Sequence, residues 1–176
     1  MALSKKKDSL GNRMKGYEAV TNNVLVGRMP VIIRLDGKAF HTLTRGFRKP
    51  FDKIFVETMQ EVALYLSKKV QTCNLVYTQS DEISLLLIDY ERLTTQQAHS
   101  GKIQKLVSIT ASMATMMFNR VFAEKINKMQ FKTWEISEYG TYDKFAEQRK
   151  KYIKQINKAM FDSRVFNLPK DEVCNY

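Results

Sequence analysis

The order in which the hydrophobic period changes along this chain constrains its fold more than any other feature. The apolar run Val31-Ile32-Ile33 ends in Arg34, Asp36 and Gly37 and reads as a buried strand breaking into a turn. A polar loop containing Lys49-Pro50 leads into a helical pattern over 52–70. Phe55, Met59, Val62, Ala63 and Leu66 share one face of it, and Asp52 is placed to cap its start. Two β-rich runs, 75–78 and 83–88, flank the polar segment Gln79-Ser80-Asp81-Glu82 and read as a hairpin. A long helix is expected over about 102–127, with Ile103, Leu106, Val107, Met113, Met117, Val121 and Phe122 in its apolar stripe. The last run, Met160 to Leu168, reads as a strand stopped by Pro169. Strand, helix, hairpin, helix, strand is β-α-β-β-α-β, the ferredoxin-like split motif of an α+β domain. Many functions use that fold, so it selects none by itself.

Three segments lie outside this pattern. Residues 4–20 read as a polar, Lys-rich helix carrying Leu10, Met14 and Tyr17 at helical spacing. Residues 129–140 are irregular and hold the only tryptophan, Trp134. A cationic helix is expected over about 141–158, with Tyr142, Phe145, Tyr152 and Ile156 inward and Arg149, Lys150, Lys151, Lys154 and Lys158 supplying charge. The 176 residues make one domain, without internal repeats or low-complexity stretches.

Charge narrows the partners. Lys and Arg number 29 against 18 Asp and Glu, a net charge of +11, which attracts polyanions, nucleic acid foremost. A soluble protein that is merely basic fits equally well, and charge does not choose RNA over DNA. The chain has no unbroken apolar run of about 18 residues, so no membrane span is expected. The start, Met1 to Leu10, is polar and resembles neither a secretory signal nor a transit peptide. Cys73 and Cys174 have no metal-ligand spacing and read as free thiols in a reducing compartment, hence a cytoplasmic location.

Two acidic positions are candidates for chemistry. Asp36 ends the first strand beside Gly37, and Asp81 sits at the hairpin tip beside Glu82. If the strands are neighbours, the carboxylates converge at one sheet edge, as hard divalent ions such as Mg²⁺ require. Two such ions about 4 Å apart activate an attacking hydroxyl and stabilise a leaving phosphate oxygen. Gly37 would allow close approach of backbone to an ion or phosphate. On spacing alone, Asp36-Gly37 as a turn dipeptide and Asp81-Glu82 as a solvated tip is the commoner reading. No Gly-rich phosphate loop and no His/Cys cluster is present, so phosphate handling would fall to metals and cations. Ser100-Gly101-Lys102 and Lys105, at a helix start, could serve a triphosphate or simply face solvent.

The wording of the segments goes further. VIIRLDGKAFHTLTRGFRKPFD (31–52) followed by YTQSDEISLLL (77–87) resembles the signature of the tRNA-histidine guanylyltransferase and guanylyltransferase-like family. DSLGNRMKGYE (8–18), KIQKLVSITASMAT (102–115) and FDSRVF (161–166) are similar to its other segments, in order. The resemblance implies a catalytic core similar to polymerase palms. It implies that Asp36 and Asp81 bind two Mg²⁺ ions with the Gly37 carbonyl, and that Glu82 supports the pair. Asp36, Gly37, Lys38, Ala39, Phe40 and His41, with Ser80 and Asp81, match the nucleotide-binding segments. Lys49 matches a lysine near the activated phosphate, Lys102 and Lys105 match triphosphate-binding cations, and Arg164 is a weaker candidate for that task. The implied reaction is 3′-to-5′ addition of a GTP-derived nucleotide to the 5′ end of histidine tRNA, after ATP activates the 5′-monophosphate. Partners are tRNA, GTP and ATP, with assembly into tetramers.

Residues 129–158 resemble nothing in eukaryotic members of the family and read as either a family-branch insertion that grips RNA or a structural spacer. The sequence also stops at Tyr176, where the family continues with tRNA-recognising segments. Guanylyltransferase-like 5′-end repair and an inactive RNA-binding relative therefore stand as alternatives. A nucleotide cyclase on the same fold is disfavoured, because the hairpin reads QSDE where a Gly-Gly-Asp-type tip is expected.

Overall fold

The computed structural model of the chain describes residues 9–130 and 140–176. Helix α1 spans Ser9–Ala19, strand β1 Val31–Gly37, the short helix α2 Phe40–Leu43 and helix α3 Lys53–Lys69. The hairpin is β2, Cys73–Gln79, and β3, Glu82–Leu87. Helix α4 runs over Ile103–Lys128, helix α5 over Tyr142–Ile153 and strand β4 over Phe161–Asn167. The strands form one sheet in the order β2-β3-β1-β4, with every neighbouring pair antiparallel. This is the split β-α-β-β-α-β arrangement expected from the sequence.

The alternation of each strand divides the sheet into two faces. Val31, Ile33 and Leu35 of β1 and Ile83, Leu85 and Leu87 of β3 are buried under α3 and α4 and form the core with them. The intervening residues turn to the other face. Register puts Asp36 between Glu82 and Asp162, and Arg34 between Ser84 and Arg164. Helix α3 presents Met59, Val62, Ala63 and Leu66 to the sheet, and Asp52 caps it by accepting from the Phe55 amide at 3.0 Å.

Helix α4 buries Leu106, Val121 and Phe122 of its expected stripe and adds small and aromatic residues that the stripe did not include. Its buried residues include Leu106, Thr110, Ala114, Phe118 and Phe122, a row at every fourth position. Met113 and Met117 lie beside that row, half-buried. The sequence reading favoured large apolar residues, whereas close packing on the sheet selects Ala114 and Thr110, which let the helix approach. Thr110 spends its hydroxyl on the Leu106 carbonyl at 2.7 Å and on Ser163 at 2.9 Å. By length and composition alone α4 is long and apolar enough to cross a membrane, which a search for an unbroken apolar run does not reveal. In the fold it is packed on the sheet and on α3, and a core helix meets the same test.

Helix α5 is shorter than the expected 141–158: it ends at Ile153 and gives way to turns that lead into β4. Phe145 and Tyr152 are buried as expected, but Tyr142, in the first turn, is 63% exposed and belongs to the outer face. In α1, Leu10, Met14 and Tyr17 are also exposed. Trp134 lies outside the described residues.

Candidate active site

The site forms where β1 ends against the β2–β3 turn. The Gly37 amide donates to the Asp81 carbonyl at 3.2 Å, which ties the two predicted acidic segments together. Asp36 is cross-strand from Glu82 on one side and from Asp162 on the other. Burial raises the Asp36 pKa above the ordinary carboxylate value, and the charges of Asp81, Asp162 and Glu82 raise it further. Arg164 opposes the rise; its guanidinium lies 3.6 Å from Asp36 and 3.9 Å from Asp162. Carboxylates that repel one another at a sheet edge are chemically suited to a cation, which would relieve the repulsion.

Glu82 is differently placed. Its carboxylate pairs with Arg34, whose other terminal nitrogen donates to the Tyr176 hydroxyl at 3.4 Å. The hydrogen bond from Arg34 to Glu82 holds the guanidinium pKa above its usual value. With its charge matched, Glu82 acts on Asp36 as a screened neighbour. Asp162 and Arg34 were missed by the sequence reading, although Asp162 stands in the matched string FDSRVF; only strand register reveals its place opposite Asp36.

Beside the carboxylates is a cleft of about 380 Å³. Of the predicted nucleotide-binding residues, Gly37, Ala39, Phe40, His41, Ser80 and Asp81 line it, and so does Lys49. The walls also include Thr44, Phe47, Arg48, Pro50 and Asp52, which the sequence reading did not assign. Two wall residues take left-handed backbone, Ala39 at φ 55° and Ser80 at φ 55°. Non-glycine residues in that region are strained, and such strain clusters at functional sites. Ala39 opens α2, whose first amides have no intrahelical acceptor. The Ser80 hydroxyl turns onto the Asp81 carboxylate at 3.0 Å.

Three predicted positions also have structural roles that the sequence did not reveal. Phe40 is 2% exposed and packs edge-on against Phe55, Phe118 and Phe161, so its ring belongs to the core as well as bordering the cleft. Gly37 is required by that ring: a Cβ there would fall 2.5 Å from Phe40 Cγ. Lys38 is exposed and uses its amide on the Met160 carbonyl at 2.9 Å, so its backbone fastens β1 to the start of β4.

Lys102 and Lys105 are not brought to the carboxylates. Lys102 bridges to Val24, next to Leu25, whose amide donates to the Gly101 carbonyl, at the Val31–Leu87 end of the sheet. The helix meets the Asp36 end with Phe118, which packs on Phe161 at 5.7 Å. At 1.5 Å per residue the interval from Lys105 to Phe118 is about 20 Å. Arg164, the weaker candidate, is the cation found beside Asp36.

An α+β split-motif domain with opposed carboxylates at one sheet edge and a cleft beside them is the geometry of a palm. Comparison with known proteins identifies which kind. Residues 11–169 match the family model described as tRNAHis guanylyltransferase, and the chain belongs to this family. Two structures of a bacterial tRNA(His) guanylyltransferase-like protein, one in complex with ATP and one with GTP, each superimpose with a TM-score of 0.76 at 41% identity over 96% of this chain. The tRNA(His) guanylyltransferase of Saccharomyces cerevisiae shares the fold, with a TM-score of 0.61 at 23% identity over 88% of this chain. The uncharacterized protein R259 of Acanthamoeba polyphaga mimivirus is 31% identical over 121 residues, 65% of this chain. The chain spans 62% and 68% of the two bacterial structures, 58% of the yeast protein and 41% of the mimivirus protein.

Proposed function

We propose that the chain is a nucleotidyltransferase that adds GTP-derived nucleotide to the 5′ end of tRNA, in the 3′-to-5′ direction. The observation that carries this reading is the meeting of Asp36 and Asp81 beside the cleft lined by Gly37, Ala39, Phe40, His41 and Lys49. A relative 41% identical to the chain has been solved with ATP and with GTP, which supports both nucleotides as ligands of this cleft.

The donor set suits Mg²⁺. Among the described residues no group of three or more His, Cys, Asp and Glu side chains could hold a metal by itself. Mg²⁺ is commonly bound through one or two carboxylates, with waters and substrate phosphates completing the shell. Asp36 and Asp81, with the Gly37 carbonyl, would supply the protein's share for two ions. Bound there, the ions would lower the pKa of the attacking hydroxyl and neutralise the leaving phosphate oxygen.

The chain's own groups do the rest. Ser80 and the first turn of α2 would border the nucleotide, and Lys49, which lines the same cleft, would offer a cation to its phosphates. Arg164 can move from Asp36 to a phosphate once a cation takes its place as counter-charge. A 5′-monophosphate carries no good leaving group, so its oxygen would first attack the α-phosphorus of ATP, forming an adenylylated end and releasing pyrophosphate. The 3′-hydroxyl of GTP would then attack the activated phosphorus and release AMP, its departure stabilised electrostatically.

Histidine-tRNA guanylylation and general 5′-end repair differ in substrate. Identity of 41% to a guanylyltransferase-like protein, against 23% to the yeast guanylyltransferase, favours the repair reading. Transfer of labelled GTP to tRNA in Mg²⁺ tests the proposal. Asp36→Ala and Asp81→Ala should each abolish transfer while circular dichroism stays native; transfer near the wild-type rate by either variant would overturn the assignment.

A further inference from the structure

Helix α5 lies within residues 11–169, the span that matches the family model. Its inner side is fastened to the loop that forms one wall of the cleft. The Tyr152 hydroxyl donates to Asp52 Oδ2 at 2.6 Å in a buried hydrogen bond that joins residues 100 positions apart. The same carboxylate oxygen accepts from the Arg48 amide at 2.9 Å, while Asp52 Oδ1 caps α3. One turn earlier, the Gln148 side-chain amide donates to the Gly46 carbonyl at 3.1 Å. Between these two bonds the Phe47 ring is held edge-on to Tyr152 at 4.9 Å and stacked on Phe122 at 5.8 Å. Phe47, Arg48, Lys49, Pro50 and Asp52 all line the cleft.

We infer that α5 is a buttress of the cleft wall, and that Tyr152, assisted by Gln148, is the positioning residue that fixes residues 46–52 against an incoming nucleotide. Tyr152 does not border the cleft; it acts through Asp52. A side-chain hydrogen bond buried from water is geometrically strict, so the hydroxyl transmits the position of α5 to Arg48 and Lys49. The part concerning ligand affinity rests on the nucleotide reading of the cleft; the mechanical part does not.

The test compares wild type, Tyr152→Phe and Gln148→Ala by GTP binding in Mg²⁺, by steady-state transfer and by amide hydrogen exchange. Tyr152→Phe keeps the ring between Phe47 and Phe122 and removes the hydroxyl alone. Loss of one buried hydrogen bond should weaken GTP binding and raise KM by about tenfold, with kcat little changed. Exchange should quicken at 46–52 and stay unchanged in α4 and the sheet. Native GTP affinity together with native exchange at 46–52 would overturn the inference while leaving the proposed function standing. Exchange quickened across the whole core would also overturn it, since Tyr152 would then be a packing residue only. If wild type binds no GTP, the nucleotide reading fails, and exchange at 46–52 still decides whether α5 holds the wall.

Discussion

Asp36 shows what the site costs the fold. Its pKa is raised, so the folded chain holds that proton more tightly than the unfolded chain. Stability from this group is therefore present below the unfolded pKa and is lost as pH rises through the folded value, leaving the full penalty at neutral pH. Asp36→Asn should raise the melting temperature at pH 7 in EDTA while abolishing transfer. Mg²⁺ should stabilise the wild type and not the variant, as linkage demands of a ligand bound only by the native state. A lower melting temperature for the variant in EDTA would contradict the strained-carboxylate account. Gly37 makes a second prediction. Gly37→Ala places a Cβ 2.5 Å from the ring of Phe40, which Phe55, Phe118 and Phe161 hold in place. Overpacking of this kind should cost about 1–3 kcal/mol in denaturant unfolding. The sequence singled out Gly37 by its place beside Asp36, whereas a clash with a side chain three residues on is visible only in three dimensions.

Elements carry the next level. Asp52 was legible as a cap from its place before an amphipathic run, and the structure gives it two further partners, Arg48 and Tyr152. Asp52→Ala should therefore destabilise by more than the roughly 1 kcal/mol of a typical cap, about 2–4 kcal/mol by denaturant titration. A loss confined to 1 kcal/mol would mean that the Tyr152 bond is weak in solution. The strands and α3 were readable because their apolar residues mark one face at a fixed period, and Asp36 and Asp81 followed from strand ends. The stripe of α4 was legible at Leu106, Val121 and Phe122 but not at its centre, because the small residues Thr110 and Ala114 do not look like core. The partners of α5 were invisible, since the Tyr152–Asp52 pairing spans 100 residues and follows no local pattern.

At the scale of the whole molecule, the proposed function asks the surplus of positive charge and the carboxylate edge to act on one substrate. Lys150 on α5 and Lys154, the residue just after it, are exposed, outside the face that holds the cleft wall. If that outer side meets RNA, Lys150→Ala with Lys154→Ala should lower the log–log salt slope of tRNA binding by about 0.7–0.9 per lost contact. An unchanged slope would place the RNA elsewhere on the surface. Lys102 and Lys105, far from Asp36 within one chain, should contribute to no step confined to that cleft, an inference that sequence matching alone could not make because it carries no distances. The central claim is that the Asp36–Asp81 edge joins a nucleotide to an RNA 5′ end that must first be activated. The most direct measurement is transfer of labelled GTP to matched tRNAs bearing one or three 5′ phosphates, each with and without ATP. The account predicts label at the 5′ end, with ATP required for the monophosphate and dispensable for the triphosphate, whose pyrophosphate is already a leaving group. Label at the 3′ end, or equal dependence on ATP for both substrates, would contradict it.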